Sequence, residues 1–138
     1  MEPIVILKPL FVLALWTFML AIMLASSRFY LMRKMHSQTA AHTKDLKGLL
    51  PPWCERLADN YNNLFEQPVI FYVAAISIAV INSFDLLVVQ LAWSFVFLRI
   101  AHSLVQITFN FVLLRFLLFV SGWVILGLMI CLQLFNFA

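Results

Sequence analysis

Two sets of polar residues recur at helical spacing in an otherwise oily chain. Arg56, Asp59, Asn60, Asn63 and Glu66 are separated by three, one, three and three residues, and Arg99, His102, Ser103, Gln106 and Asn110 by three, one, three and four. Either spacing gathers its set on one face of a helix, and Arg115 follows close behind the second set. Cations and amide donors converging in this way suit an anionic ligand with carboxylates, or a thiolate. A neighbouring arginine raises the thiolate fraction of a thiol, and preorganised donors stabilise developing negative charge. No Ser-His-Asp set, phosphate-binding glycine loop or Cys/His metal spacing can be assembled, and His36 and His42 lack ligand spacing to each other and read as solvated.

Each of these residues also has a plainer reading. Glu66 and Arg99 fit a buried ion pair that fixes helix register without binding anything. His102 fits a hydrogen-bonded packing residue, and Asn60, Asn62 and Ser103 fit interhelical hydrogen bonding. It is the convergence of two stripes, with Arg115 arriving at the same level, that favours a binding site.

The elements that must carry the stripes belong to a membrane. The 138 residues are 64% hydrophobic and 11% charged, with a mean hydropathy of +1.01, whereas soluble chains run at about 45–50% apolar and about 25% charged. At roughly 20 residues per transmembrane helix, four spans leave room for one loop and exclude a large extramembrane catalytic domain. Three glycines and 14 phenylalanines fit long helices better than the alternating strands of a transmembrane barrel. The pattern predicts an all-α integral membrane protein, a left-handed four-helix bundle forming one domain over 1–138, with spans at about 4–31, 53–82, 85–108 and 111–136.

Six of the nine Lys/Arg residues, Arg28, Arg33, Lys34, Lys44, Lys47 and Arg56, lie between the first two apolar stretches. By the positive-inside rule the loop at about 32–52 is cytoplasmic and the N-terminus outside. The net charge of +3 then reports topology, and no nucleic acid is expected as a partner. The first stretch is longer than a signal-peptide core and its positive charges follow it, which marks a retained span. Pro68 is expected inside the second helix, freeing a carbonyl and bending the axis. Thr108 and Asn110 are the turn-compatible residues between the last two spans. Cys54 and Cys131 fall on opposite sides of the membrane, so no bridge within the chain is expected.

Counting from the turn near Ser83 at about 1.5 Å per residue, Glu66 and Arg99 both lie about 25 Å away, Asn63 is level with His102, and Asp59 with Gln106. An ionised side chain exposed at the bilayer centre costs at least about 2.5–3.5 kcal/mol, so these residues should face protein or water. A polar pocket open to the cytoplasmic side is predicted, with Arg115 entering it from the fourth helix.

These motifs resemble those of the MAPEG family, the membrane-associated proteins of eicosanoid and glutathione metabolism, over most of the chain. Glu55-Arg56 and the run Asn63-Leu-Phe-Glu66-Gln-Pro68-Val-Ile-Phe71 resemble the family's Asn-x-x-Glu block followed by proline and aromatic residues. Arg99-Ile-Ala-His102-Ser, Asn110, Leu114-Arg115, Phe119 and Gly122 keep the family's order and approximate spacing. The resemblance implies a homotrimer of four-helix subunits, with glutathione bound between neighbours near the cytoplasmic side. It implies that Asn63 and Glu66 hold the glutathione backbone, Glu66 at its amino group, that His102 is a further polar contact, and that Arg115 is the catalytic residue activating the thiol. Arg28 becomes a candidate for a glutathione carboxylate, and Arg99 and Gln106 join the candidate glutathione-binding set. A lipophilic small-molecule substrate would approach from the membrane lipid. The chain departs from the family pattern at Asp59 and Asn62, where arginines are expected, at Gln106 in place of a tyrosine, and at Phe116 in place of a small hydroxyl residue. These changes remove donors for glutathione carboxylates.

Two functions follow. The leading one is a glutathione-dependent transferase or peroxidase acting on lipophilic electrophiles. The alternative is a non-catalytic protein of the same fold that binds a lipid or another anionic metabolite, or serves as a partner for another membrane protein. A small proton-coupled exporter is a third class, but four-span exporters of that type use a glutamate in the first span, where this chain has only Lys8 beyond its terminal Glu2. Compactness and the lack of a targeting tail point to a multi-pass protein of the bacterial inner membrane.

Overall fold

The computed structural model of the protein describes residues 2–35, 50–82 and 84–136. Most of the loop expected at 32–52, with His36 and His42, lies outside the described residues, as does Ser83. Among the described residues the chain is helical without any strand: α1 (Ile4–Met35), α2 (Pro52–Asn63), α3 (Gln67–Ile81), α4 (Leu86–Ile107) and α5 (Val112–Phe135). Four stretches are long and apolar enough to cross a membrane, and the second of them, Pro52–Ile81, contains both α2 and α3.

That division corrects the expectation of one bent helix. Pro68 has no N–H for the carbonyl four residues back, and its ring crowds that carbonyl. The helix therefore stops at Asn63, Leu64 to Glu66 form a turn in which Glu66 has φ −91° and ψ −95°, and Pro68 lies in the first turn of α3. A missing N–H costs nothing there.

The other boundaries are set by local chemistry. Asn82 ends α3 in the left-handed conformation at φ 56°, which asparagine tolerates better than most residues. Asp85 caps α4 by accepting from the Val88 N–H at 3.1 Å. Between α4 and α5, Asn110 takes φ 51° and its N–H reaches back to the Val105 carbonyl at 2.7 Å. The two spans are thereby joined by a tight turn rather than one continuous helix. Helix α4 is the centre of the bundle, packing on α1, α2 and most extensively α5, while α1 also touches α2 and α3. Gly122 faces the interior of α5, whereas Gly127 opens onto free space.

Candidate functional site

The polar stripes of α2 and α4 meet. The Asn60 side-chain amide donates to Ser103 Oγ at 2.6 Å, and Trp16 Nε1 of α1 donates to the same oxygen at 3.1 Å. One turn along α2, Asn63 Nδ2 donates to Gln106 Oε1 at 3.1 Å. Asn60, Ser103 and Gln106 are buried, so these bonds satisfy groups that lipid could not. The pairing lies within about a turn of the levels counted from Ser83: Asn63 reaches Gln106 rather than His102.

Arg99 departs further from expectation. It is 1% exposed, yet its hydrogen bonds do not go to Glu66, which stays exposed in the turn between α2 and α3. Arg99 Nη2 donates to the backbone carbonyl of Asn63 at 2.6 Å, and Nη1 to Gln67 Oε1 at 3.2 Å. The break in the second span explains the choice. Ending α2 inside the membrane leaves carbonyls without intrahelical partners, and a cation is favoured at a helix C-terminus.

Gln67 was not among the candidates read from the sequence, although Asn60, Asn63 and Gln67 are spaced by three and four residues. It is fully buried, and its Nε2 donates to the Phe119 carbonyl of α5 at 3.0 Å. Gly122 makes room for it, since a Cβ there would stand 2.8 Å from Gln67 Oε1.

In front of this network lies a recess of about 300 Å³ lined by Asn63, His102, Val112, Arg115, Phe116 and Phe119. Three candidates are thereby brought together from three helices. Asn110 Oδ1 accepts from Arg115 Nη1 at 2.6 Å, which orients the guanidinium, and Arg115 Nε is buried without a partner. The His102 ring packs against Phe119, with centroids 6.3 Å apart. The α5 edge of the recess also faces outward: Val112 is 72% exposed and Phe116 59%. Arg99 and Gln106 stand behind the recess rather than in it, and Glu66 lies at the turn three residues beyond Asn63. Arg28, half-buried near the end of α1, is not part of the lining. No group of His, Cys, Asp or Glu among the described residues could hold a metal ion. Cys54 and Cys131 are free thiols.

Four helices long and apolar enough to span a membrane define an integral multi-pass membrane protein, and they enclose a recess with one oriented guanidinium, an amide and an imidazole beside apolar residues. The model of the MAPEG family matches residues 6–135 of the chain. The chain belongs to that family and has its four-helix membrane bundle. No curated protein and no solved structure matches the chain.

Proposed function

We propose that the chain is a membrane-embedded, glutathione-dependent transferase or peroxidase acting on lipophilic electrophiles, with Arg115 as the residue that stabilises the thiolate. The observation that carries this reading is the placement of Arg115: one nitrogen is fixed by Asn110, and the residue lines the recess. A guanidinium held beside a thiol raises its thiolate fraction. Glutathione supplies the nucleophilic thiolate. Asn63 offers a polar contact from α2, Glu66 at the adjoining turn suits an ammonium group, and His102 provides a third contact. The exposed Val112 and Phe116 give an apolar co-substrate a lateral route from the bilayer.

About 300 Å³ is at the low end for a small-molecule site, and the recess is open. In this reading a neighbouring subunit of a homotrimer completes it and brings further contacts for the glutathione carboxylates. The N-terminus lies outside, the recess lies in the cytoplasmic half, and the membrane is the bacterial inner membrane.

The test is calorimetry of glutathione at millimolar concentration against the purified full chain, with Arg115→Ala in parallel. Saturable binding whose thiol ionisation is lost in the variant supports the reading; absence of binding to the wild type overturns it. A second reading, a non-catalytic protein binding a lipid or another anionic metabolite, is favoured by the commitment of Arg99 to Gln67 and Asn63, which leaves Arg115 as the guanidinium lining the recess. Conjugation of a generic aromatic halide by the pure protein would count against it.

A further inference from the structure

Two walls of the recess are held through their backbone carbonyls by residues that do not line it. The Asn63 carbonyl accepts from Arg99 Nη2 at 2.6 Å, and the Phe119 carbonyl accepts from Gln67 Nε2 at 3.0 Å. Arg99 and Gln67 are themselves joined, Nη1 to Oε1, at 3.2 Å. Three hydrogen bonds thus connect the α2 wall, through α4 and the first residue of α3, to the α5 wall. Gln67 is the member that spans the gap, using its carboxamide donor on one side and its acceptor on the other. Its place is reserved by Gly122, where a methyl group would stand 2.8 Å from Oε1. Because both ends of the carboxamide are engaged, it has no free rotamer into which to retreat without losing a bond.

We propose that Gln67 is a positioning residue of the recess: by holding the Phe119 carbonyl and the Arg99 guanidinium together, it sets the separation between the Asn63 wall and the wall that carries Phe119. This rests on the reading of the recess as a glutathione site, and it assigns the affinity of that site in part to a side chain that never touches the ligand. Small misplacements of binding groups are costly because the productive geometry is narrow.

The closing experiment measures glutathione binding by calorimetry and thermal unfolding on the full chain in lipid nanodiscs. Gly122→Ala drives the new methyl into the Gln67 carboxamide and raises the glutathione Kd about tenfold, as expected for loss of one or two buried hydrogen bonds. Gly127→Ala, the same change on the same helix with nothing within 4 Å of the added carbon, leaves Kd unchanged. Gln67→Ala weakens binding by a similar factor, and adding Gly122→Ala to it has no further effect, because the atom struck by the methyl is gone. This pair keeps the test valid should Gly122→Ala alone fold poorly. Unchanged Kd in Gly122→Ala and Gln67→Ala, with only a lowered Tm, would reduce Gln67 to packing and overturn the proposal. So would a Gly122→Ala penalty that persists in the Gln67→Ala background. If the wild type binds no glutathione, the thiol reading falls and the positioning role with it; if the wild type binds and the variants bind as tightly, the positioning role alone falls.

Discussion

Toward the Asn110 turn, helices α2, α4 and α5 meet through Asn60, Asn63, Arg99, Ser103, Gln106 and the carboxamide of Gln67. Toward the Asn82 turn, the continuations of the same spans meet through Ala75, Ile78, Val88, Ala92, Leu126 and Met129, with Phe71 stacked on Phe95 at 4.6 Å. In a bilayer the two halves are governed by different rules. Helices in lipid gain little from apolar contact as such and are joined by close packing, so the aromatic half depends on shape and tolerates volume-conserving changes. In the polar half an unsatisfied group is costly, and its side chains depend on particular partners, although Asn60 Oδ1 and Arg99 Nε have none. Donors at defined positions are what a binding site requires, and the recess lies in that half.

The contrast can be broken or sharpened by substitution, and the largest effect is expected at the recess itself. Arg115→Ala is expected to lower turnover of a lipophilic electrophile at saturating glutathione by about 10²–10³-fold, the scale for losing a donor to developing negative charge. Its Tm should stay close to the wild type, because among the described residues the Arg115 side chain hydrogen-bonds to the Asn110 turn and not to another helix. A comparable fall in stability would place Arg115 with the structural network instead.

Next comes Arg99→Met, which strips a donor from both the Asn63 carbonyl and Gln67 and is expected to cost about 3 kcal/mol. Leu126→Met, a volume-conserving change at a buried position of the apolar half, should cost no more than about 1.5 kcal/mol. Chemical unfolding in mixed micelles measures both, and equal losses would remove the distinction between the halves. Asn110→Gly keeps the left-handed turn but deletes the acceptor for Arg115; stability should hold while glutathione binding weakens about fivefold. Asn110→Ala should be less stable than Asn110→Gly by about 1–2 kcal/mol, because alanine places a Cβ in the left-handed region without the local hydrogen bonding that lets asparagine adopt it. The smallest effect is expected for Asn60→Ala, about 0.6 kcal/mol, the average for a side-chain hydrogen bond between membrane helices.

Much of this architecture was legible in the sequence. Four apolar stretches, the turn at Thr108 to Asn110 and the facing stripes follow from composition and helical spacing, since both are local properties. Pro68 marked the interrupted span, but whether it bends or breaks depends on what receives the freed carbonyls. The Asn63 carbonyl at the break is received by Arg99, 36 residues away. The break also explains why the stripe on α2 does not single out Gln67, the residue that Arg99 meets. Helical spacing carried past the end of α2 at Asn63 puts Glu66 on the stripe, whereas the turn leaves Glu66 exposed and the Arg99 cation binds a carbonyl and an amide. Gly122 and Gly127 look alike in the sequence, and only packing shows that one of them abuts a buried side chain. Arg28 is a different case. It lies on α1, while the recess is built from α2, α4 and α5, and no spacing within one helix reports which neighbours assemble a site.

Ionisation of a thiol beside Arg115 is the central claim, and proton release on binding reads it directly. Glutathione is titrated into the protein in nanodiscs in two buffers of different ionisation enthalpy at a pH below that of the free thiol's ionisation. Saturable binding accompanied by release of a proton, with that release abolished in Arg115→Ala, is the expected result. Binding without proton release, or the same release from the wild type and Arg115→Ala, would contradict it.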